Sequence, residues 1–94
     1  MTLEELYNLV VSRKKEMPEG SYVASLFRED QDRIIQKVGE EATEVVIAAK
    51  NENRERLVSE VSDLLFHTLV LLVAKDVPFS DVLSELEKRN SGGR

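Results

Sequence analysis

Two acidic clusters hold the residues of this chain best suited to chemistry. Glu40, Glu41 and Glu44 form the first, and Glu60 and Asp63 form the second, with fifteen residues between the two clusters. Carboxylates three residues apart lie on one face of a helix, so two antiparallel helices would bring four of them together. Desolvation and mutual repulsion both disfavour the ionised forms in such a site. The pattern therefore predicts a bound hard cation such as Mg²⁺, which prefers oxygen ligands.

Helical geometry separates these acids into inner and outer positions. At about 100° per residue, Glu41 lies beside the apolar stripe of its helix, whereas Glu40 lies nearly opposite the stripe. The same arithmetic groups Glu60, Asp63 and His67 along the edge of the next apolar stripe. We expect a cleft between the two helices, lined by the inner carboxylates.

A solvated acidic face is the alternative to a metal site. Most acidic pairs at this spacing simply face water. Basic residues at i+4, which would offset the charge, do not follow Glu40 or Glu60, because Glu44 and Leu64 occupy those positions. Spacing alone leaves the metal site and the solvated face as equal alternatives.

The elements that must position these acids are helices. The pattern predicts a first helix capped by Thr2 and ended at 18–20, a loop with one short helix within 21–32, two long helices at 30–50 and 54–75, and a last helix at 81–89 capped by Ser80. Apolar residues in the first long helix form a packing seam: Ile35, Val38, Ala42, Val45 and Ala49. The second long helix is apolar nearly all round after Leu64, so we expect it to be buried on several sides. The fold class is all-α, a short antiparallel bundle of four to five helices completed by dimerisation.

Composition limits the classes of function. The 94 residues fit one domain at 1–90 with a flexible tail at 91–94, and a net charge of −5 argues against nucleic-acid binding. Without cysteine, disulfides and thiol chemistry are excluded. The apolar run at 64–74 is short of the roughly 20 residues of a membrane span, and no targeting signal is evident. We expect a cytoplasmic protein without membrane contact.

Three segments resemble the phosphoribosyl-ATP pyrophosphohydrolases, which catalyse the second step of histidine biosynthesis. They are residues 20–27 (GSYVASLF), 33–44 (RIIQKVGEEATE) and 63–72 (DLLFHTLVLL). The resemblance extends from about residue 3 to residue 89. These enzymes belong to the all-α nucleotide pyrophosphohydrolases of MazG type, whose hallmark is Glu-Glu-x-x-Glu followed by Glu-x-x-Asp. The two acidic clusters match that hallmark.

The resemblance implies a reaction and a set of site residues. Family members cleave phosphoribosyl-ATP between the α- and β-phosphates, giving phosphoribosyl-AMP and pyrophosphate. The implied cofactor is Mg²⁺, with Mn²⁺ able to substitute. The implied metal ligands and catalytic residues are Glu41, Glu44, Glu60 and Asp63. Glu40 is the remaining catalytic acid of the hallmark, and its outward angle makes it the weaker candidate unless a second subunit covers it.

Further residues are candidates for binding the nucleotide substrate: Lys37, Ser21, Tyr22, Arg28 and Arg33. Each of these residues also has a possible role that does not involve substrate. Lys37 could only screen Glu41, the two residues of the Gly-Ser-Tyr loop could be structural, and the arginines could be surface charges. For His67 a supporting contact is favoured over metal ligation, because Mg²⁺ prefers oxygen. Gly39 in mid-helix indicates either close helix packing or approach of the backbone to a ligand.

The resemblance also implies partners. Family members form dimers, so we expect a homodimer with active sites near the interface. Relatives are often fused to a phosphoribosyl-AMP cyclohydrolase domain, and we expect a separate cyclohydrolase to act after this chain.

Two other functions stay open. A house-cleaning nucleoside-triphosphate or dUTP pyrophosphatase would share the acidic hallmark but lack the Gly-Ser-Tyr segment at 20–22 and the segment at 66–72. A non-catalytic helical interaction module would tolerate neutral replacement of the carboxylates.

Overall fold

Five α-helices build the fold, which confirms the all-α prediction. The computed structural model describes residues 1–93, and this part of the chain contains no β-strand. The helices are α1 (Leu3–Glu16), α2 (Tyr22–Arg28), α3 (Gln31–Lys50), α4 (Arg54–Ala74) and α5 (Phe79–Lys88). A single π-helical turn, Arg89–Gly93, follows α5.

Local capping signals fix the start of α1 and α2. The Thr2 hydroxyl accepts a hydrogen bond from the Glu5 amide at 3.0 Å, and the Glu5 carboxylate accepts one from the Thr2 amide at 2.9 Å. This reciprocal pair is the predicted capping box. At α2 the Ser21 hydroxyl accepts from the Ala24 amide at 3.2 Å. This is the short helix that was expected within 21–32, and it has seven residues.

The predicted start of α5 is wrong. Ser80 was expected to cap a helix at 81–89, but the helix begins at Phe79, and Pro78 occupies the cap position without a side-chain hydrogen bond. Packing explains the earlier start, because Phe79 is buried against the ring of Tyr7 with a centroid distance of 6.2 Å. At the other end, Arg94 lies outside the described residues, and the boundary and mobility of the tail stay predictions.

The α3–α4 hairpin is the framework of the molecule. Residues 51–53 connect the two long helices, and Asn53 caps α4 by accepting a hydrogen bond from the Arg56 amide at 3.0 Å. A connection this short makes the helices antiparallel neighbours. Helices α1 and α2 cover one side of the hairpin, and the core between them consists of Val10, Leu26, Ile34, Val70 and Val73.

The buried face of α3 differs from the predicted seam. Ile34, Glu41 and Ala48, spaced seven residues apart, are buried, whereas Ile35 is 44% exposed and Ala49 is exposed. A shift of one residue turns a helix by about 100°, so a small change in packing direction changes which residues face the core. Glu41, expected at the border of the core, therefore lies on the buried face.

One side of α4 is open to solvent in the single chain, so the predicted burial on several sides, which included a subunit interface, stays a prediction. Val58 is 62% exposed and Leu65 is 43% exposed. By length and composition α4 also qualifies as a membrane span, a criterion that core helices of soluble proteins meet as well. The radius of gyration is 14.6 Å, against about 12 Å for a compact domain of this length. A single chain thus leaves apolar surface uncovered.

Candidate active site

Three carboxylates from the two long helices converge on one point. Glu41 from α3 and Glu60 and Asp63 from α4 each offer an oxygen, and these oxygens lie within 4.8 Å of one another. Glu41 is buried, Glu60 is half-buried and Asp63 is exposed. The site is therefore anchored in the core and open on one side. An all-oxygen set of this kind fits a hard divalent cation.

Two cations lie beside these acids. The Lys37 ammonium is 3.2 Å from a Glu41 oxygen. Arg56 Nη2 lies 3.4 Å from a Glu44 oxygen and 3.5 Å from a Glu60 oxygen. No basic residue follows Glu40 or Glu60 by four positions, but Arg56 precedes Glu60 by four residues and also reaches across to Glu44 on α3. Arg56 was missed because the residues before Glu60 were not considered and because the contact with Glu44 is made across two helices.

Glu44, the fourth predicted ligand, is not among the three converging carboxylates. Its oxygen instead contacts Arg56, which links it to Glu60. All four acids therefore lie in one region. Three of them converge directly, and Glu44 is linked to Glu60 through Arg56. Their roles as metal ligands stay predictions.

Lys37 supplies a permanent positive charge at the edge of the site. Burial by itself lowers the pKa of Lys37, but the hydrogen bond to Glu41 and the electrostatic attraction of Tyr22 and Glu41 outweigh burial and raise the pKa above its ordinary value. The ammonium is therefore charged at neutral pH, next to the carboxylates that would hold the metal.

His67 joins α4 to α2. Its Nδ1 lies 2.7 Å from the backbone oxygen of Asp63, and its Nε2 lies 2.9 Å from the hydroxyl oxygen of Tyr22. The imidazole is buried, and its ring meets the edge of Phe66 at a centroid distance of 5.1 Å. Both ring nitrogens already have partners, which fits a supporting contact better than metal ligation.

Tyr22 and Ser21 line an open cleft beside this contact. The cleft has a volume of about 480 Å³ and is also lined by Arg13, Pro18 and Gly20. Tyr22 is 52% exposed, so its ring is accessible from the cleft. Ser21 has a structural role as the cap of α2, which was the alternative to substrate binding considered for this residue.

The other predicted residues contact groups of this chain outside the carboxylate cluster. Glu40 lies 3.5 Å from Arg33, and Arg33 is also 3.8 Å from Glu29. Arg28 donates a hydrogen bond to the Met17 carbonyl at 3.1 Å. The outward position of Glu40 agrees with the helical angle, and the functional roles of Glu40, Arg28 and Arg33 stay predictions.

Gly39 has open space around it. A Cβ atom placed on this residue would meet no heavy atom within 4 Å outside its own helix and chain neighbours. Close helix packing, the first of the two explanations offered for this glycine, therefore does not occur within one chain. Packing against a second copy and approach of a ligand to the backbone stay predictions.

Comparison with known proteins agrees with the geometry. A family model described as phosphoribosyl-ATP pyrophosphohydrolase matches residues 3–90. The phosphoribosyl-ATP pyrophosphatase of Leptospira biflexa is 52% identical over 95% of this chain and 97% of its own length. That of Geobacter sulfurreducens is 53% identical over 93% of this chain and 81% of its own length. The histidine biosynthesis bifunctional protein HisIE of Bacillus subtilis is 53% identical over 95% of this chain, which spans only 43% of that relative. With a match along nearly its whole length, this chain belongs to the phosphoribosyl-ATP pyrophosphohydrolase family.

Proposed function

We propose that this chain hydrolyses phosphoribosyl-ATP between the α- and β-phosphates, releasing phosphoribosyl-AMP and pyrophosphate. The convergence of Glu41, Glu60 and Asp63 oxygens within 4.8 Å, in a chain of this family, carries the proposal. The cleavage needs positioning and charge neutralisation more than a covalent nucleophile. A chain with no cysteine and one histidine can therefore supply the required groups.

The proposed cofactor is Mg²⁺, for which Mn²⁺ would substitute. Glu41, Glu60 and Asp63 would hold it, and Glu44 would join them in place of its contact with Arg56. A bound divalent ion supplies neutralisation of the phosphate charge and polarisation of the phosphorus for attack by water. Lys37 adds a second positive charge on the same strip of α3, which makes it our candidate for a phosphate contact.

The proposed substrate site extends from the carboxylates toward α2. Tyr22 and Ser21 line the cleft next to the site, so they are our candidates for contacts to the rest of the nucleotide. Arg28 and Arg33 are the weaker candidates, because each already contacts a protein oxygen. Glu40 would contribute only if a second subunit covered the outer face of α3.

We further propose a cytoplasmic homodimer. A groove of about 280 Å³ runs between α1, α4 and α5, and its lining is apolar: Leu3, Leu65, Thr68, Leu69, Leu72, Phe79, Val82, Leu83 and Leu86. A second copy would cover this groove and the exposed side of α4. In the pathway, a phosphoribosyl-AMP cyclohydrolase activity would consume the product, and the relative from Bacillus subtilis is named as a bifunctional protein of histidine biosynthesis.

Release of pyrophosphate tests the proposed reaction. We expect the protein with Mg²⁺ to release pyrophosphate from phosphoribosyl-ATP much faster than from dUTP or ordinary nucleoside triphosphates. No release from phosphoribosyl-ATP with rapid release from dUTP would identify a house-cleaning pyrophosphatase instead. No release from any nucleotide would favour a non-catalytic helical module.

The variant Glu44→Gln tests the carboxylate site within the same assay. We expect it to abolish turnover while leaving the protein folded, because it removes a ligand charge and also relieves repulsion between carboxylates. The matched control is Glu87→Gln, an exposed position on α5. Wild-type activity in Glu44→Gln would contradict the proposed four-ligand site.

A further inference from the structure

Both nitrogens of His67 are occupied, and their partners fix which one carries the proton. Nδ1 lies 2.7 Å from the backbone oxygen of Asp63, an atom that can only accept a hydrogen bond. Nδ1 must therefore be the donor. In a neutral imidazole the other nitrogen, Nε2, then has a free lone pair, and Tyr22 donates its hydroxyl hydrogen to it across 2.9 Å.

This arrangement decides what Tyr22 can offer a ligand. A phenol has one hydrogen to donate, and His67 takes it, so the hydroxyl oxygen presents only lone pairs to the cleft. The ring of Tyr22 is held by a stacked contact with Phe66, with centroids 6.2 Å apart, yet the residue stays 52% exposed. The Tyr22 hydroxyl oxygen is thus a hydrogen-bond acceptor on an exposed residue.

A phosphate oxygen is a poor partner for such an acceptor, because both groups lack a hydrogen to donate. The donors of a nucleotide nearest its phosphates are the ribose hydroxyls. His67 follows Asp63 by one helical turn, a rise of about 5.4–6 Å along α4, so Tyr22 lies beside the carboxylates without belonging to them. A triphosphate bound at the carboxylates would bring the attached ribose toward Tyr22.

We infer that His67 is a positioning residue, which holds Tyr22 as a hydrogen-bond acceptor for a hydroxyl of the ribose attached to the triphosphate. The ribose contact rests on the proposed function. The orientation of the Tyr22–His67 pair does not, since it follows from the two measured contacts. This assigns Tyr22 to recognition of the sugar rather than of the phosphates.

The protonated nitrogen can be observed directly, because His67 is the only histidine in the chain. In ¹⁵N NMR spectra at about pH 8, where an ordinary histidine is neutral, we expect the hydrogen on Nδ1 and an unprotonated Nε2. Tyr22→Phe should shift the Nε2 resonance and leave Nδ1 protonated. A hydrogen on Nε2 in the wild-type protein would overturn the inference. The measurement needs no turnover, so it stands or falls independently of the proposed function.

A matched pair of histidine variants separates positioning from general support of the fold. The amide of His67→Gln reaches the place of Nε2 and keeps an acceptor for Tyr22, whereas that of His67→Asn reaches only the place of Nδ1. We expect His67→Asn and Tyr22→Phe each to raise KM for phosphoribosyl-ATP about fivefold to tenfold, the effect of one lost hydrogen bond. We expect kcat within about twofold of wild type in both variants. His67→Gln should have a KM close to that of the wild-type protein. The double variant His67→Asn with Tyr22→Phe should have a KM no higher than that of either single variant, because both changes remove the same contact. Equal defects in His67→Gln and His67→Asn would contradict the positioning role.

Two ligand comparisons test the ribose assignment. Inhibition by pyrophosphate, which has no sugar, should be unchanged in Tyr22→Phe. Two analogues of phosphoribosyl-ATP lack the 2′- or the 3′-hydroxyl of the adenosine ribose. One of the two should show the raised KM with the wild-type protein, and Tyr22→Phe should cause no further increase in KM for that analogue. Weaker pyrophosphate binding in Tyr22→Phe, or additive losses with both analogues, would overturn the assignment. Failure of the wild-type protein to cleave phosphoribosyl-ATP, with the expected NMR spectrum, would overturn the proposed function and its ribose contact but not the positioning of Tyr22.

Discussion

Glu40 and Glu41 are adjacent and chemically identical, yet they have different surroundings. Glu41 is 8% exposed, its carboxylate lies 3.2 Å from the Lys37 ammonium, and its oxygen converges with those of Glu60 and Asp63. The Glu40 side chain is 47% exposed and contacts Arg33 on the outer face of α3. The difference arises from one residue of helical rotation. It also provides a matched pair of variants for testing the site.

We predict that Glu41→Gln lowers kcat/KM by about a hundredfold or more, because it removes a charged oxygen where the metal and the phosphates would be neutralised. Glu40→Gln should stay within about threefold of wild type, since it only breaks an exposed ion pair. Steady-state pyrophosphate release measures both. A comparable loss in Glu40→Gln would mean that a second subunit brings Glu40 into the site.

Gly39 gives a second prediction at the scale of a single residue. Since a Cβ there would meet open space, Gly39→Ala should stabilise the free protein by about 0.5–1 kcal/mol through the better helix propensity of alanine. The urea midpoint of unfolding measures this change. The reverse substitution at the exposed position Ala49→Gly should lower the midpoint by a similar amount. Destabilisation by Gly39→Ala would show that a second copy packs against this glycine.

At the scale of the helices, the charged site links α3 to α4. Arg56 on α4 contacts Glu44 on α3, and a metal ion bound by Glu41, Glu60 and Asp63 would form a second link. Any ligand that binds only the folded state raises its stability, by an amount that grows with the logarithm of the ligand concentration once this exceeds Kd. The arginine and the metal would therefore each link α3 to α4. They would compete for the carboxylates of Glu44 and Glu60.

We predict that Mg²⁺ raises the thermal midpoint of the wild-type protein and raises it further in Arg56→Met. Without metal, Arg56→Met should be slightly less stable, by under about 1 kcal/mol, as expected for an exposed ion pair. Differential scanning calorimetry with and without Mg²⁺ measures both effects. The control is Arg54→Met in the first turn of the same helix. An equal Mg²⁺ effect in Arg56→Met and Arg54→Met would rule out the competition.

Sequence patterns predicted these helices well where local interactions decide the structure. The capping box at Thr2 and the loop at 51–53 depend on neighbouring residues, and the long helix predicted at 30–50 is found at Gln31–Lys50. The start of α5 and the buried face of α3 were wrong, because packing against other helices decides both. The helical spacing of the acids predicted the convergence of Glu41, Glu60 and Asp63, but it also predicted that Glu44 joins them, and Glu44 contacts Arg56 instead. Arg56 escaped detection because its contact with Glu44 is made across two helices and because the residues before Glu60 were not considered as its partners.

At the scale of the whole molecule, α1 and α2 cover one side of the α3–α4 hairpin and leave the other side open. Exposed apolar residues occur on α3, α4 and α5: Ile35, Val46, Ile47, Val58, Val61, Leu65, Leu83 and Leu86. A chain of 94 residues is near the size at which one core is only marginally sufficient. Association of two hairpins would bury this surface and add the missing side of a four-helix bundle.

We predict that the protein is a dimer at micromolar concentration and that Leu65→Glu converts it to a monomer. Leu65 is 43% exposed in one chain and lines the apolar groove, so a glutamate would be tolerated in the monomer but would place an unpaired charge in the interface. Analytical ultracentrifugation distinguishes the two masses. Ser84→Glu adds the same charge on α5 at an exposed position that does not line the groove, and it should remain dimeric. A wild-type protein that sediments as a stable monomer would contradict this interface, and dissociation of both variants would show that the interface extends beyond the groove to Ser84 on α5.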